Sequence, residues 1–191
     1  ITPYKRTPWA EQVVEAMLYI LWDLGLKVGQ SSRSIDETVK LAQEDLTIRT
    51  ALLESRFVWG DRAVYQEASL RFWNEVVGKT APDFVRLKMV ERDDRHKRMG
   101  DSRYVVEPNV KDGKGGLRDL HTLYWIGKYI HRVSSASDLV EVGLLTTDEY
   151  RRFRKAENFL WAVRCHMHNI AGRAEDDGVD VLGGHPVADH E

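Results

Sequence analysis

The chain has 191 residues, 42% of them hydrophobic, which is enough to bury the core of one large domain or of one domain and part of another. With 28 Lys and Arg against 30 Asp and Glu, the formal net charge of -2 excludes a molecule-wide attraction for nucleic acid, so an anion site has to be a local cluster. The single cysteine, Cys165, excludes an internal disulfide and a multi-cysteine zinc site, as is typical of a reducing compartment, so we expect a cytoplasmic protein.

The N-terminal part of the chain predicts one helix and one extended segment. Thr7 and Pro8 form an N-cap followed by a proline, and apolar residues then recur at helical spacing up to Gly25, which predicts a buried helix. Its apolar stretch, residues 13–26, is broken by two acidic residues and is too short to span a bilayer, so we expect no membrane association. Residues 26–34 lack helical periodicity and predict an edge strand or an extended segment.

Helices dominate the predictions that follow. A capping box from Ser34 to Glu37 predicts a helix over residues 35–44. Two further helical runs cover residues 47–60 and 61–77, and the residues of the first run that are expected to face inward are Ile48, Ala51, Leu52 and Phe57. The stretch from Thr80 to Asp83 predicts another helix start, and the second half of that helix mixes charges of both signs, as a solvated face does.

The C-terminal part of the chain predicts two more helices and a tail. A stripe of apolar residues from Leu117 to Ile130 predicts a helix that ends near Val133. A second capping box, at residues 146–149, opens the longest helix, where Cys165 is expected to be a small buried residue beside a core stripe of Tyr150, Phe153, Ala156, Leu160, Val163, Met167 and Ile170. Residues 177–191 have no periodicity and predict a loop, a frayed end or sequence foreign to the domain, with no function assigned.

The connection before Leu117, "VEPNVKDGKGG", concentrates groups that suit an anion. Lys111, Lys114 and Arg118 supply cations, and a glycine-rich turn that enters a helix is expected to direct the amides of Gly113, Gly115 and Gly116 at one point. This pattern predicts a phosphate-binding loop, and the alternative is a turn and helix cap with solvated charges. The pattern matches neither the nucleoside-triphosphatase motif nor the dinucleotide motif.

Other polar residues give weaker signals. Glu107 and Asp119 bracket the loop and either bind a metal through their carboxylates or neutralise nearby cations. Arg33 and Arg49 are candidates for a second cationic cluster, the alternative being that each is structural or solvated. The histidines do not have a spacing that lets two of them share a metal ion on a helix, so no metal site is predicted in this chain.

Three stretches together carry a resemblance to a known family. They are "LYILWDLGLKVGQSSRSIDETVKLAQEDLTIRTALLESR", "YVVEPNVKDGKGGLRDLHTLYWI" and "FRKAENFLWAVRCHMHNIAGRAED". Over about residues 1–176 the chain closely resembles the bifunctional PII uridylyltransferase/uridylyl-removing family of bacterial nitrogen sensing. The signature at residues 115–119 is also similar to the related glutamine synthetase adenylyltransferases.

The resemblance implies a multifunctional enzyme, both transferase and hydrolase. It would transfer UMP from UTP to a tyrosine of the PII signalling protein when nitrogen is scarce, and remove the group when glutamine is plentiful. In this family a Gly-Ser motif and an Asp-x-Asp pair bind Mg²⁺ for the transfer. These residues are expected upstream of Ile1, and the hydrolase and glutamine-sensing domains downstream, so we expect a fragment of a longer protein that has no catalytic residue of its own and is inactive alone.

The same resemblance implies a domain plan and a set of site residues. Residues 1–60 would be the end of an α/β nucleotidyltransferase domain, residues 61–176 an all-α helical bundle domain, and residues 177–191 an unassigned tail. The residues expected to bind nucleotide are Lys111, Lys114, Gly115, Gly116 and Arg118, with Arg33 and Arg49 as second-rank candidates. Those expected to hold the loop, or to reach metal or ribose, are Glu107, Asn109 and Asp119. Two alternatives stay open, a non-catalytic helical interaction module and an adenylyltransferase relative that uses ATP.

Overall fold

The computed structural model describes residues 1–3, 7–100 and 109–171, and this part of the chain is mainly α-helical. In chain order its elements are α1 (Pro8–Asp23), α2 (Ile35–Glu44), α3 (Leu46–Leu53), α4 (Arg62–Arg71), a π-helical segment (Phe72–Val77), α5 (Gly78–Arg98), α6 (Leu117–His131), α7 (Asp138–Glu141) and α8 (Thr147–Ala171). The predicted mainly α class is confirmed. The predicted tail, residues 177–191, lies outside the described residues.

The predicted edge strand does not form. Residues 26–33 have no regular structure, and sheet-like pairing within the described ranges is limited to a parallel bridge between Thr2 and Ser34. There the amide of Thr2 donates to the Arg33 carbonyl at 3.0 Å and the amide of Ile35 donates to the Thr2 carbonyl at 3.2 Å. Two hydrogen bonds do not make a ladder, so the expected α/β remnant is not observed in the described part of the chain.

Packing divides the chain into two compact units, Ile1–Ala81 and Pro82–Glu191. In the first unit α2 packs against α3, α4 and the π-helical segment. The capping box at the start of α2 is confirmed, because the Ser34 amide donates to Glu37 Oε2 at 2.9 Å and the Glu37 amide donates to Ser34 Oγ at 3.2 Å. The buried apolar side chains of this unit that belong to these elements are Ile35, Val39, Ala42, Leu53, Ala68, Phe72, Val76 and Val77.

Two predictions for this unit are wrong. The helix predicted over residues 47–60 ends at Leu53, and its inward positions are Arg49 and Leu53, one helical turn apart, while Ala51 is exposed. The helix start predicted at Thr80 is also absent, because α4, the π-helical segment and α5 follow one another without a break. Pro82 lies inside α5, where its missing amide leaves the carbonyl one turn earlier without the usual helical donor.

The prediction of a buried α1 is wrong as well. Leu18 is its one buried residue, whereas Trp9 is 72% exposed and Ile20 61%, and Leu24, the C-cap residue that follows it, is 69% exposed. The apolar residues of α1 are spread around the whole helix, so a single contact side covers few of them. No helix of the described ranges, α1 included, is long and apolar enough to cross a membrane.

The second unit contains α6, α7, α8 and α5 from Pro82 onward. Phe84 of α5 stacks on Tyr129 of α6, with ring centroids 3.8 Å apart and planes 5° from parallel. A Cβ on Gly127 would lie 2.7 Å from Leu139 Cδ2, so the glycine permits the close approach of α6 to α7.

The long helix α8 begins as predicted but buries less than predicted. Its capping box forms, with the Thr146 amide donating to Glu149 Oε2 at 2.8 Å and the Glu149 amide donating to Thr146 Oγ1 at 3.2 Å. Within the predicted core stripe, Phe153 and Met167 are buried, whereas Ile170 and the neighbouring Cys165 are exposed. The expectation of a buried cysteine is therefore wrong.

Candidate functional site

The glycine-rich loop, residues 109–116, is held by its own hydrogen bonds. Asn109 Oδ1 accepts from the amides of Lys111 at 3.0 Å and Asp112 at 2.6 Å. After this turn, the amide of Leu117 donates to the Val110 carbonyl at 3.0 Å and the amide of Arg118 donates to the Lys111 carbonyl at 2.9 Å. The loop therefore folds back on the first turn of α6 and fixes where that helix begins.

Two adjacent glycines serve this loop for different reasons. Gly115 has φ +83°, a left-handed conformation that glycine adopts without strain. Gly116 has an ordinary φ, but a Cβ there would lie 2.7 Å from the Val110 carbonyl oxygen and 2.8 Å from that of Lys111. The first glycine is thus required by the turn, and the second by the close approach of backbone to backbone.

The expectation that the glycine amides converge on an anion is wrong. The Gly113 amide donates to the Asn109 carbonyl at 3.0 Å, and the Gly116 amide donates to the Gly113 carbonyl at 2.9 Å. The Gly115 amide donates to Asp119 Oδ2 at 2.8 Å. All three donors are already engaged within the loop and α6, so cationic side chains, not these amides, are the groups that remain suited to a phosphate.

Asp119, in the first turn of α6, is the centre of a buried polar cluster. Besides the Gly115 amide, its carboxylate accepts from Arg95 Nη2 and lies 2.9 and 3.0 Å from His96 Nε2. Burial by itself would raise the pKa of Asp119, but the hydrogen bonds from Gly115, His96 and Arg95 outweigh burial and hold the pKa below its usual value. Asp119 is therefore an ionised carboxylate at neutral pH.

A cleft opens beside this cluster, between the last turns of α5 and the first turns of α6. Its volume is about 880 Å³, and the lining residues are Met89, Arg92, Asp93, His96, Lys97, Lys114, Gly115, Asp119, Thr122, Leu123 and Ile126. Arg92 pairs with Asp93 at 2.7 Å. Asp119 pairs with Arg95, a buried residue that does not line the cleft. The cleft thus presents three cationic side chains, with both of its carboxylates held in ion pairs.

The predicted site residues separate into those that line the cleft and those that do not. Lys114, Gly115 and Asp119 line it, whereas Gly116 is buried within the loop. Lys111 is partly buried and outside the lining, and the Arg118 guanidinium lies 5.7 Å from the Trp125 ring centroid and 3.5 Å from Asp112 Oδ1. Glu107 lies outside the described residues. The binding roles of these residues stay predictions.

The two second-rank arginines lie in the first unit. Arg49 is 2% exposed, and its guanidinium donates from Nε to the Ala42 carbonyl at 2.9 Å and from Nη2 to the Gln43 carbonyl at 2.8 Å. The structure gives Arg49 a packing role at the end of α2, and its role in nucleotide binding stays a prediction. Arg33 lines a different groove, of about 570 Å³, together with Glu37 and Lys40.

Sequence reasoning missed the part of the site that α5 supplies. Arg92, Arg95 and His96 belong to the mixed-charge stretch that we expected to be a solvated face, yet Arg95 and His96 are buried. Their spacing of three and four residues places them on one side of a helix, and this is the signal that was available. The partner of that side, Asp119, lies more than twenty residues later in the chain and could not be paired from spacing.

The described residues do not fit a metal site. They contain no group of three or more His, Cys, Asp or Glu side chains that could hold a metal ion. Asp119 is engaged by Gly115, Arg95 and His96, and Asp93 by Arg92, so neither carboxylate is available as a ligand without breaking these contacts.

Comparison with known proteins gives the family. A family model described as GlnD PII-uridylyltransferase matches residues 83–177. The bifunctional uridylyltransferase/uridylyl-removing enzyme of Novosphingobium aromaticivorans is 72% identical over 176 residues, which are 92% of this chain and 19% of that protein. The enzyme of the same description from Erythrobacter litoralis is 69% identical over 91% of this chain. The one from Rhodospirillum rubrum is 60% identical over 92% of this chain, and each of these matches again covers 19% of the relative.

The chain therefore spans about a fifth of the length of the curated relatives that it matches. No solved structure matches it. With this identity over nine-tenths of its length, the chain belongs to the GlnD PII-uridylyltransferase family and corresponds to a segment of the bifunctional uridylyltransferase/uridylyl-removing enzymes.

Proposed function

We propose that this chain is part of an enzyme that transfers UMP from UTP to a tyrosine of the PII signalling protein, and that the cleft between α5 and α6 receives the phosphates of the nucleotide. The observation that carries the proposal is the set of three cations, Arg92, Lys97 and Lys114, around one open cleft within the residues that match the family model. The uridylyl specificity rests on the names of the relatives.

The electrostatics of the cleft support an anionic ligand. A nucleoside triphosphate carries several negative charges, and lysine and arginine side chains are the groups that hold phosphate oxygens most strongly in proteins. Arg95 neutralises Asp119, so the carboxylate that lies nearest to the loop does not repel a phosphate as an unpaired one would. Lys97 is largely exposed and pairs with the exposed Asp94 at 3.8 Å, a separation at which the pair is weak enough for the lysine to turn to a phosphate group.

The rest of the reaction belongs to parts of the enzyme beyond these residues. We propose that Mg²⁺ is held there by acidic residues and lowers the charge repulsion on the triphosphate. The opposing activity, removal of UMP under the control of glutamine, is likewise assigned to other domains of the full-length enzyme. Within this chain the cleft contributes phosphate binding and positioning.

UTP binding in the presence of Mg²⁺ tests the proposal, measured by calorimetry on the intact enzyme that contains this segment. Lys114→Ala and Arg92→Ala are each expected to weaken UTP binding about 10- to 100-fold, the usual effect of losing a charge-assisted hydrogen bond to phosphate. Lys155→Ala, which removes an exposed lysine of α8, is the matched control and is expected to leave the affinity unchanged. ATP in the same titration tests the adenylyltransferase alternative.

One observation favours a competing function. Because the glycine amides bond within the loop, the loop has the features of a purely structural helix start, as expected for a non-catalytic interaction module. Under that interpretation, none of the cleft substitutions changes the affinity for UTP. The titration therefore separates the two functions with one set of variants.

A further inference from the structure

We propose that His96 is an acid–base residue of this cleft, and that it accepts the proton of the hydroxyl group that attacks the nucleotide. The inference rests on the proposed function and extends it from phosphate binding to the chemical step. It is carried by the arrangement of His96, Asp119 and the cleft.

The hydrogen bond to Asp119 determines which ring nitrogen carries the proton. Nε2 of His96 lies 2.9 and 3.0 Å from the two oxygens of Asp119. Asp119 is ionised and can only accept hydrogen bonds, so Nε2 must be the donor. In the neutral imidazole the lone pair then lies on Nδ1.

The Nδ1 atom is available to a ligand. It has no hydrogen-bond partner among the described residues. It is also not one of the fully enclosed side-chain atoms without a partner in that part of the chain, so the atom keeps some exposure. His96 itself lines the cleft. Its ring is held at one end by Asp119 and exposes the opposite nitrogen, which is the arrangement of a base whose orientation is fixed by a carboxylate.

The charged groups around His96 include more cations than carboxylates, and Lys97 of α5 is one of the cations that line the cleft. On α5, Arg92, Asp93 and Arg95 lie within one turn of His96; Asp119 faces it from α6, and Lys114 of the loop lines the same cleft. Asp119 orients the ring and also stabilises the imidazolium once a proton has been taken, and Arg95, which shares this carboxylate, offsets part of that stabilisation.

The proposed step is balanced in atoms and charge. The oxygen of the acceptor hydroxyl, a tyrosine phenol under the proposed function, forms a bond to the α-phosphorus of UTP. The bond from that phosphorus to the oxygen bridging to the β-phosphorus breaks, and pyrophosphate leaves with the electron pair. The phenol proton moves to Nδ1 of His96 and is later released to solvent.

The test is a kinetic comparison in the intact enzyme with UTP and PII as substrates. His96→Gln keeps an N–H donor for Asp119 but removes the base, so kcat for uridylylation is expected to fall about 100- to 10,000-fold while the affinity for UTP changes less than threefold. His131→Gln, at an exposed position of α6, is the matched control and is expected to leave both quantities unchanged.

Several outcomes overturn the inference. A kcat of His96→Gln within threefold of that of the unmodified enzyme shows that His96 is not the base. If His96→Gln does not fold, the smaller His96→Ala with added imidazole replaces it, and restored activity is the expected result. A folded His96→Ala variant that stays inactive with added imidazole also contradicts the proposal.

Failure of this inference can be told apart from failure of the proposed function. If Lys114→Ala weakens UTP binding while His96→Gln leaves kcat unchanged, the cleft binds nucleotide and only the base is misassigned. If neither the cleft variants nor His96→Gln has an effect, the proposed function fails as well.

Discussion

Arg49 is a buried cation that donates to two backbone carbonyls of its own unit, and replacing it tests that packing role. Arg49→Met keeps much of the side-chain volume but removes the donors to the carbonyls of Ala42 and Gln43, which lie at the end of α2. We expect the free energy of unfolding to fall by about 2–3 kcal/mol, because buried acceptors lose charged donors. Chemical denaturation of the 191-residue chain measures this, with the exposed Arg56→Met as control. Equal effects of the two substitutions would contradict the packing role.

The lowered pKa of Asp119 predicts how stability depends on pH. A carboxylate with a depressed pKa in the folded state stabilises that state above its unfolded pKa, here an ordinary value of 3.8, and loses this contribution as the pH falls through the lower folded value. Asp119→Asn is therefore expected to destabilise the chain by about 1–3 kcal/mol at pH 7 and by progressively less below pH 4.

Urea denaturation of the unmodified chain and of Asp119→Asn across that pH range gives the difference directly. Asp148→Asn, at an exposed position of α8, serves as the control for a general change of charge. A difference between the Asp119 variant and the unmodified chain that stays constant down to pH 2 would show that the carboxylate charge contributes nothing.

At the scale of single residues, sequence patterns identify chemistry but not partners. The lysines and glycines of residues 111–116 stand out because they are close in sequence, and Lys114 does line the cleft. Arg95 and His96 do not stand out, because their burial depends on Asp119, which α6 brings to them from a distant part of the chain. Whether a backbone amide is free or already hydrogen-bonded also depends on the fold. The predicted convergence of the loop's glycine amides on an anion was therefore wrong, because these amides donate within the loop and to α6.

Helix boundaries are the element-scale features that the sequence predicts well when a capping motif is present. The capping boxes at Ser34 and Thr146 both form, since each needs only residues within one turn. The predicted start at Thr80 fails because a proline near a helix start and a proline inside a longer helix have the same local sequence. The burial of α1 fails because its apolar residues find few partners in the described part of the chain.

The start of α6 allows a prediction that separates the two reasons for glycine. At Gly115, where φ is +83° and the space around a Cβ is open, Asn is expected to cost less than Ala, since Asn tolerates the left-handed region better. At Gly116 the nearest atoms are backbone oxygens that cannot move aside, so Ala is expected to cost about 2–3 kcal/mol and Asn at least as much.

Thermal denaturation of the four variants, Gly115→Ala, Gly115→Asn, Gly116→Ala and Gly116→Asn, gives the order. If Asn is also the better substitution at residue 116, backbone conformation rather than close approach limits that position. UTP binding measured alongside shows whether the start of α6 has to be intact for the cleft to act.

For the whole molecule, the start of the family-model match and the boundary between the two compact units lie at nearly the same residue. The family model begins at residue 83, and the second compact unit begins at Pro82. The domain plan expected from the sequence, with a boundary at residues 60 and 61, remains a prediction. Composition predicted a sizeable core and apolar periodicity predicted helices, but neither could locate this boundary, since a continuous run of helical residues crosses it.

The exposed apolar residues of α1 predict how the separate chain behaves in solution. Met17, Ile20 and Leu24 are each more than half exposed, together with Trp9 and Tyr19, and an apolar surface of this kind drives association in water. The 191-residue chain is therefore expected to self-associate as its concentration rises. The triple variant Met17→Glu, Ile20→Lys, Leu24→Gln is expected to stay monomeric, with unchanged helical content because these positions make few buried contacts.

Sedimentation velocity over a hundredfold concentration range measures this association. The control is the triple variant Arg151→Gln, Lys155→Gln, Asn158→Gln on α8. An unmodified chain that is monomeric throughout would show that α1 does not drive association.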